Sequence, residues 1–267
     1  MTQRIRTFSF AVCPALALCV AVAVAEEPTP PADLAAPPED AQVFASGLAS
    51  KVLRPGVGTE SPDSTSHVIV HYTAWEADGE LFDSSVARSK MSSLDLGAMI
   101  DGFSEGLQLM VVGEKRRLWI PAELAYEGMD GKPQGDLVFD VELFDFVSTP
   151  RDVAAPPADV ERSKSGLAWI VLQPGSGTEQ PRKSSEVTVH YSGWTTDGEM
   201  FDSSVIRASP ATFKLNQVIR GWTEGLRLMV EGEKRRFWIP EKLAYRGVPG
   251  RPQGMLVFDV ELISIGR

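Results

Sequence analysis

The sequence predicts an α+β protein of two tandem domains, each an antiparallel β-sheet packed on one short α-helix. Three observations predict it. The chain repeats itself at a constant offset of 119 residues, so that Tyr72 meets Tyr191, Phe82 meets Phe201 and Phe139 meets Phe258. Most of each repeat alternates apolar with polar residues and is rich in β-branched and aromatic side chains, the pattern of strands. One stretch per repeat carries a helical stripe instead: in "GFSEGLQLMVVG", Phe103, Leu107, Met110 and Val111 fall at i, i+4, i+7 and i+8.

The chain opens on Arg4 and Arg6, followed by "FAVCPALALCVAVAVA", an apolar run ending in Ala23-Val24-Ala25. A basic head, an apolar middle and a small-x-small end read as an export leader over 1–25, cut after Ala25, for a periplasmic or secreted protein. A membrane anchor is the alternative, and the run is short for one and broken by Pro14. Lipid anchoring needs a small residue before the cysteine, whereas Cys19 follows Leu18 and Cys13 follows Val12. These are the only two cysteines. A cleaved chain therefore has no disulfide, thiol nucleophile or zinc–thiolate site, and folds on burial alone.

Residues 26–46, rich in Pro, Ala and acid, read as an extended tether. The first domain is then 47–147, a linker of similar composition covers 148–164, and the second domain is 165–267. The repeat aligns without a gap from Gly47/Gly166 to Leu143/Leu262, which means two copies of one compact domain rather than a solenoid. Neither the tether nor the linker shows heptads, so a monomer with two mobile domains is expected.

Within each copy, "HVIVHYTAW" and "EVTVHYSGW" are strands, with His71 and His190 read as polar strand residues. The helix follows, and after it the repeated phrase "GEKRRLWIPAELAY" or "GEKRRFWIPEKLAY". Alternation puts Leu118 and Ile120 on the core side and Arg117 and Trp119 on the other. Arg116, Arg117, Arg235 and Arg236 are expected to dress a solvated strand face. Trp119 and Trp238 either cover the sheet with Trp75 and Trp194 or mark a binding patch, and the first is preferred. Pro121 and Pro240 stop the strand, because proline cannot donate to the ladder. "LVFDVELFDF" is the last strand, with Leu137, Phe139, Val141 and Leu143 on one side.

The net charge of −10 becomes two units more negative without Arg4 and Arg6. An acidic chain without a basic tract argues against nucleic acid and anionic membrane as partners. Three histidines without ligand spacing give no metal site, and no cofactor is implied.

The motifs "VHYSGWTTDGEMFDSS", "VIRGWTEGLRLM", "IPEKLAYRG" and "LVFDVEL", in that order and near the usual spacing, resemble the FKBP-type peptidyl-prolyl cis-trans isomerases over nearly all of both repeats. The resemblance implies a strongly bent antiparallel sheet wrapped around one short helix, with a shallow aromatic pocket between them. It implies activity on proline-containing polypeptides, assisting the folding of exported proteins. In the second copy the pocket pattern falls on Tyr191, Phe201, Asp202, Arg207, Phe213, Val218, Ile219, Trp222, Tyr245 and Phe258. In the first it falls on Tyr72, Phe82, Asp83, Arg88, Leu94, Met99, Ile100, Phe103, Tyr126 and Phe139. The family's usual arrangement has the hydroxyl of Tyr245 and the N–H of Ile219 bind the flanking carbonyls, with Asp202 at the edge holding Tyr191 or Arg207. Phe103 replaces the usual tryptophan floor, and Leu94 a lining aromatic, so the second copy is expected to be the more active. Both loops after Tyr126 and Tyr245 are short, which argues against strong binding of macrolide inhibitors. Two other readings compete: a non-catalytic proline-binding chaperone or adaptor, and an inert spacer in the cell envelope. Read without the resemblance, Phe-Asp-Ser-Ser is no more than a capped turn.

Overall fold

The computed structural model describes residues 28–266, so the expected leader lies outside the described residues. Each copy forms one antiparallel seven-stranded sheet with one short α-helix against it. In the first copy these are β1 (Gln42–Val43), β2 (Ala49–Arg54), β3 (His67–Glu76), β4 (Leu81–Ser84), β5 (Ser92–Asp95), α1 (Asp101–Gln108), β6 (Lys115–Ile120) and β7 (Leu137–Val147). The second repeats the order as β8 (Glu161–Arg162), β9 (Ala168–Gln173), β10 (Glu186–Thr195), β11 (Met200–Ser203), β12 (Ala211–Lys214), α2 (Arg220–Gly225), β13 (Lys234–Ile239) and β14 (Leu256–Ile265). The strand order is β1-β2-β6-β7-β3-β4, with β5 on the far half of β3, and the second sheet matches it strand for strand.

The helix sits close because glycine lets it. Gly102 and Gly106 share the helix face turned to β6, where an added Cβ would collide with Ile120 and Leu118. Gly221 and Gly225 meet Ile239 and Phe237 in the same way. Each glycine costs helix propensity, and close packing on the strand offsets that loss. The first helix ends at Gln108, earlier than the stripe through Val111 suggests, and a tight turn carries Met110 into the core.

The sheet has two covered faces. The face turned to the helix holds the main core, with Leu107, Leu118, Ile120 and Val141 in one copy and Leu226, Phe237, Ile239 and Val260 in the other. On the outer face, Trp75 and Trp119, and likewise Trp194 and Trp238, form smaller clusters of their own, so these tryptophans cover the sheet.

That covering corrects two expectations. The arginines of the repeated phrase are not a solvated fringe. Arg116 donates to Glu114 at 2.6 Å and to Ser50 at 2.9 Å, and Arg235 pairs with Glu233 at 2.6 Å. Arg117 grips Asp140 through Nε and Nη2, and Arg236 grips Asp259 likewise, at 2.6 to 2.9 Å. The reason is position: the flanking strands supply carboxylates directly opposite, Asp140 across from Arg117 and Asp259 across from Arg236.

Nor are 148–164 and the described part of the tether, 28–46, plain spacers. Asp33 accepts from Arg117, its carbonyl accepts from the Trp119 indole at 2.8 Å, and Leu34 packs on the outer cluster. One repeat later, Asp152 and Val153 make the same contacts with Arg236 and Trp238. The signal was present in the sequence: "PADLAAPPED" and "PRDVAAPPAD" stand at the same offset of 119, hidden by proline-rich composition. The stretches are straps, each lying across the back of the sheet that follows it.

Candidate active site

Between the helix and the open half of each sheet lies a groove floored by aromatic rings. In the second copy, Trp222 projects from the first turn of α2 and is 5% exposed. It stands edge-on to three rings: Tyr191 at 5.0 Å, Phe258 at 5.4 Å and Phe213 at 5.6 Å. Such edge-to-face contacts suit the ring quadrupoles and hold the floor rigid. Its indole nitrogen has no partner among the described residues. Phe201, Val218, Ile219 and Tyr245 pack part-buried around this floor. Phe201, Asp202 and Tyr245 line a solvent-open hollow closed on one side by Gly250, Arg251 and Pro252. The ten residues expected at this site therefore converge on one place, and so do their counterparts in the first copy.

The edge of the groove is an ionic triad. Tyr191 donates its hydroxyl hydrogen to Asp202 at 2.5 Å. Arg207 donates to the same carboxylate and, at 3.0 Å, to the tyrosine oxygen. Tyr72, Asp83 and Arg88 make the same triangle. Burial, reinforced by the bond to the carboxylate, raises the Tyr72 and Tyr191 hydroxyls above their ordinary 10.0. Burial pulls the Asp83 carboxyl up, but the bonds from Tyr72 and Arg88 outweigh it and hold it below 3.8. Burial, and then the charge of Asp83, also raises Tyr126. The arginine thus acts on the groove through the carboxylate and the tyrosine oxygen rather than from its floor.

The Phe-Asp-Ser-Ser stretch is more than a capped turn. Ser203 bonds Ser192 across the strands at 2.8 Å. Ser204, fully buried, accepts the backbone N–H of Tyr191 at 2.8 Å and bonds His190 at 3.1 Å. That burial leaves the serine no access to a substrate, so its role is to fix the tyrosine strand.

Sequence reasoning missed one residue that separates the two grooves. Gly193 lies opposite both Phe258 and Asp202 in the sheet, and a Cβ there would come within 2.6 Å of Phe258 and 2.8 Å of Phe201. Phe201 therefore rests edge-on against Phe258, at 5.5 Å. The first copy has Ala74 at this register, fully buried opposite Phe139 and Asp83. Its methyl fills that space, and Phe82 turns to the other wall, packing on Tyr126 at 5.8 Å. A glycine facing a phenylalanine across a strand pair was the available signal. Around Phe103, the contacts are Phe139 at 5.2 Å and Tyr72 at 6.2 Å, with no third ring because Leu94 replaces Phe213.

Comparison with known proteins identifies the family. The family model for FKBP-type peptidyl-prolyl cis-trans isomerase matches twice, over residues 58–144 and 177–263. The chain is 51% identical over 111 residues to the FKBP-type isomerase FkpA of Aeromonas hydrophila, covering 40% of this chain and 41% of that protein. It is 48% identical over 117 residues to the macrophage infectivity potentiator of Trypanosoma cruzi, covering 42% and 59%. Against the isomerase FKBP9 of Rattus norvegicus the match takes in both copies, 37% identical over 207 residues, 73% of this chain and 34% of that protein. The chain thus spans less than two thirds of each relative, from 34% to 59% of its length. Among solved structures, FkpA from Escherichia coli aligns with a TM-score of 0.39 at 45% identity, over 41% of this chain and 52% of that one. With the family model matching both repeats and together more than half of the sequence, the chain belongs to the FKBP-type peptidyl-prolyl cis-trans isomerase family.

Proposed function

We propose that this chain is a peptidyl-prolyl cis-trans isomerase assisting the folding of exported proteins, and that the second copy is the more active. Rotation about an amide faces a barrier of about 18–20 kcal/mol because planarity is resonance-stabilised. For X-Pro bonds the isomers differ by only about 1 kcal/mol, so the task is to speed exchange, not to shift equilibrium. A site does this by binding the twisted amide better than either planar form. The twisted amide has lost resonance and is less charge-separated, so a dry aromatic groove favours it. Trp222, Phe258 and Phe201 take the prolyl ring. Tyr245 and the Ile219 N–H bind the flanking carbonyls, and the Asp202 triad orients the amide electrostatically. No proton moves.

The observation that carries this reading is the four-ring floor centred on Trp222, which the first copy lacks in full. An isomerisation assay on an X-Pro peptide tests it. The full chain should accelerate exchange, and Asp202→Ala with Tyr245→Phe should lower the second copy's kcat/KM about tenfold while the chain stays folded. Acceleration absent in the intact chain, with aggregation of a client still suppressed, would favour a proline-binding chaperone instead.

A further inference from the structure

The two grooves carry opposite charge at their mouths. Next to Ile219 and Tyr245, the residues proposed to hold the substrate backbone, stand Arg220, Lys242 and Arg246, which with Glu241 line a second hollow. At the matching positions the first copy has Asp101, Glu123 and Glu127, so each replacement reverses the sign. All six side chains are exposed, and none takes part in an ion pair among the described residues. The cation beside the groove tyrosine does not change: Arg251 lies over the Tyr245 ring and Lys132 over Tyr126.

Such a reversal is not needed for folding. The cores beneath share one framework, Val68, Leu107, Ile120 and Val141 matching Val187, Leu226, Ile239 and Val260. The only hydrogen bond from these six side chains among the described residues is local, Arg246 Nε to the Lys242 carbonyl at 3.1 Å. In a chain of net charge −10, a cluster of unpaired cations beside one groove is also out of keeping with the rest. Charge at a groove mouth acts on whatever segment of polypeptide runs past the bound proline, by attraction or by rejection.

We propose that the second copy selects prolyl segments flanked by Asp or Glu, and that the acidic mouth of the first copy rejects those same segments. The proposal rests on the isomerase reading for its readout but concerns selectivity, so the two can fail separately. The test uses the full chain and three X-Pro peptides whose flanks are acidic, neutral or basic. In the variant Arg220→Asp/Lys242→Glu/Arg246→Glu, kcat/KM for the acidic peptide should fall about tenfold, while the neutral peptide is unaffected. The converse variant, Asp101→Arg/Glu123→Lys/Glu127→Arg, should raise turnover of the acidic peptide. In the unaltered chain the preference for acidic over basic flanks should fade as salt rises to about 0.5 M. An acidic-peptide rate unchanged by the first variant, or one that falls in step with the neutral peptide, overturns the proposal. Should no peptide be turned over, the isomerase reading fails. Fluorescence anisotropy with the same peptides then decides selectivity, tighter acidic binding lost in the variant supporting it and equal binding overturning it.

Discussion

Gly193 and Ala74 differ by one methyl, and that methyl decides where a phenylalanine rests. Gly193→Ala should force Phe201 away from Phe258 and lower the second copy's kcat/KM about tenfold, since small misplacements of a positioning wall are costly. The fold should survive, because Ala74 is accommodated at the same register. The Tyr–Asp–Arg triads set the pH response. Asp83 is held below 3.8, so its contribution is full above that value and lost as pH falls through the lower folded one. Tyr72 and Tyr191 are raised above 10.0, so theirs is full below that value and lost as pH rises through the higher one. Activity measured from about pH 5 to 9 should be flat, whereas a bell would mean that a proton moves after all. At this scale the sequence motifs pointed to the ten residues per copy that the fold brings together, because each keeps its place in a repeated motif. They were silent on Gly193, whose effect exists only once β10 and β14 are paired.

Strand β13 shows why the repeated phrase misleads when read alone. Alternation correctly separates Phe237 and Ile239 from Arg236 and Trp238, but it reports only that the second face is outside the main core. What covers that face comes from a distant segment. Arg236 sits 15% exposed between Asp259 on the neighbouring strand and Asp152 on the strap, while Trp238 is fully buried beneath it. Removing one partner from such a pair leaves the other charge stranded. Arg236→Ala should therefore cost about 3 kcal/mol, seen as a lower urea midpoint. Arg227→Ala, an exposed change, should be nearly neutral. The helix, by contrast, was legible nearly to its ends. Its stripe is a local property, and only the tight turn after Gln108 required knowledge of the sheet it packs on.

Across the whole molecule, two domains joined by a loose linker was the expectation, and the joint is tighter than that. Ser148 bonds Ser66 of the first copy at 2.6 Å, and the next residue, Thr149, already donates to the Gly198 carbonyl of the second at 3.2 Å. Val147, the last residue of β7, packs against the outer cluster around Trp194 and Trp238. No free residue separates the attachments. Trypsin should spare the bond after Arg151 in the folded chain, and Asp152→Ala should expose it to rapid cleavage. The straps also bear on how such a chain arises. The repeated unit begins with the strap, so duplication copied the connector together with the domain it docks on. Each copy brings its own coupling piece, and arrays of this unit can lengthen by simple concatenation, with no new joint having to be invented.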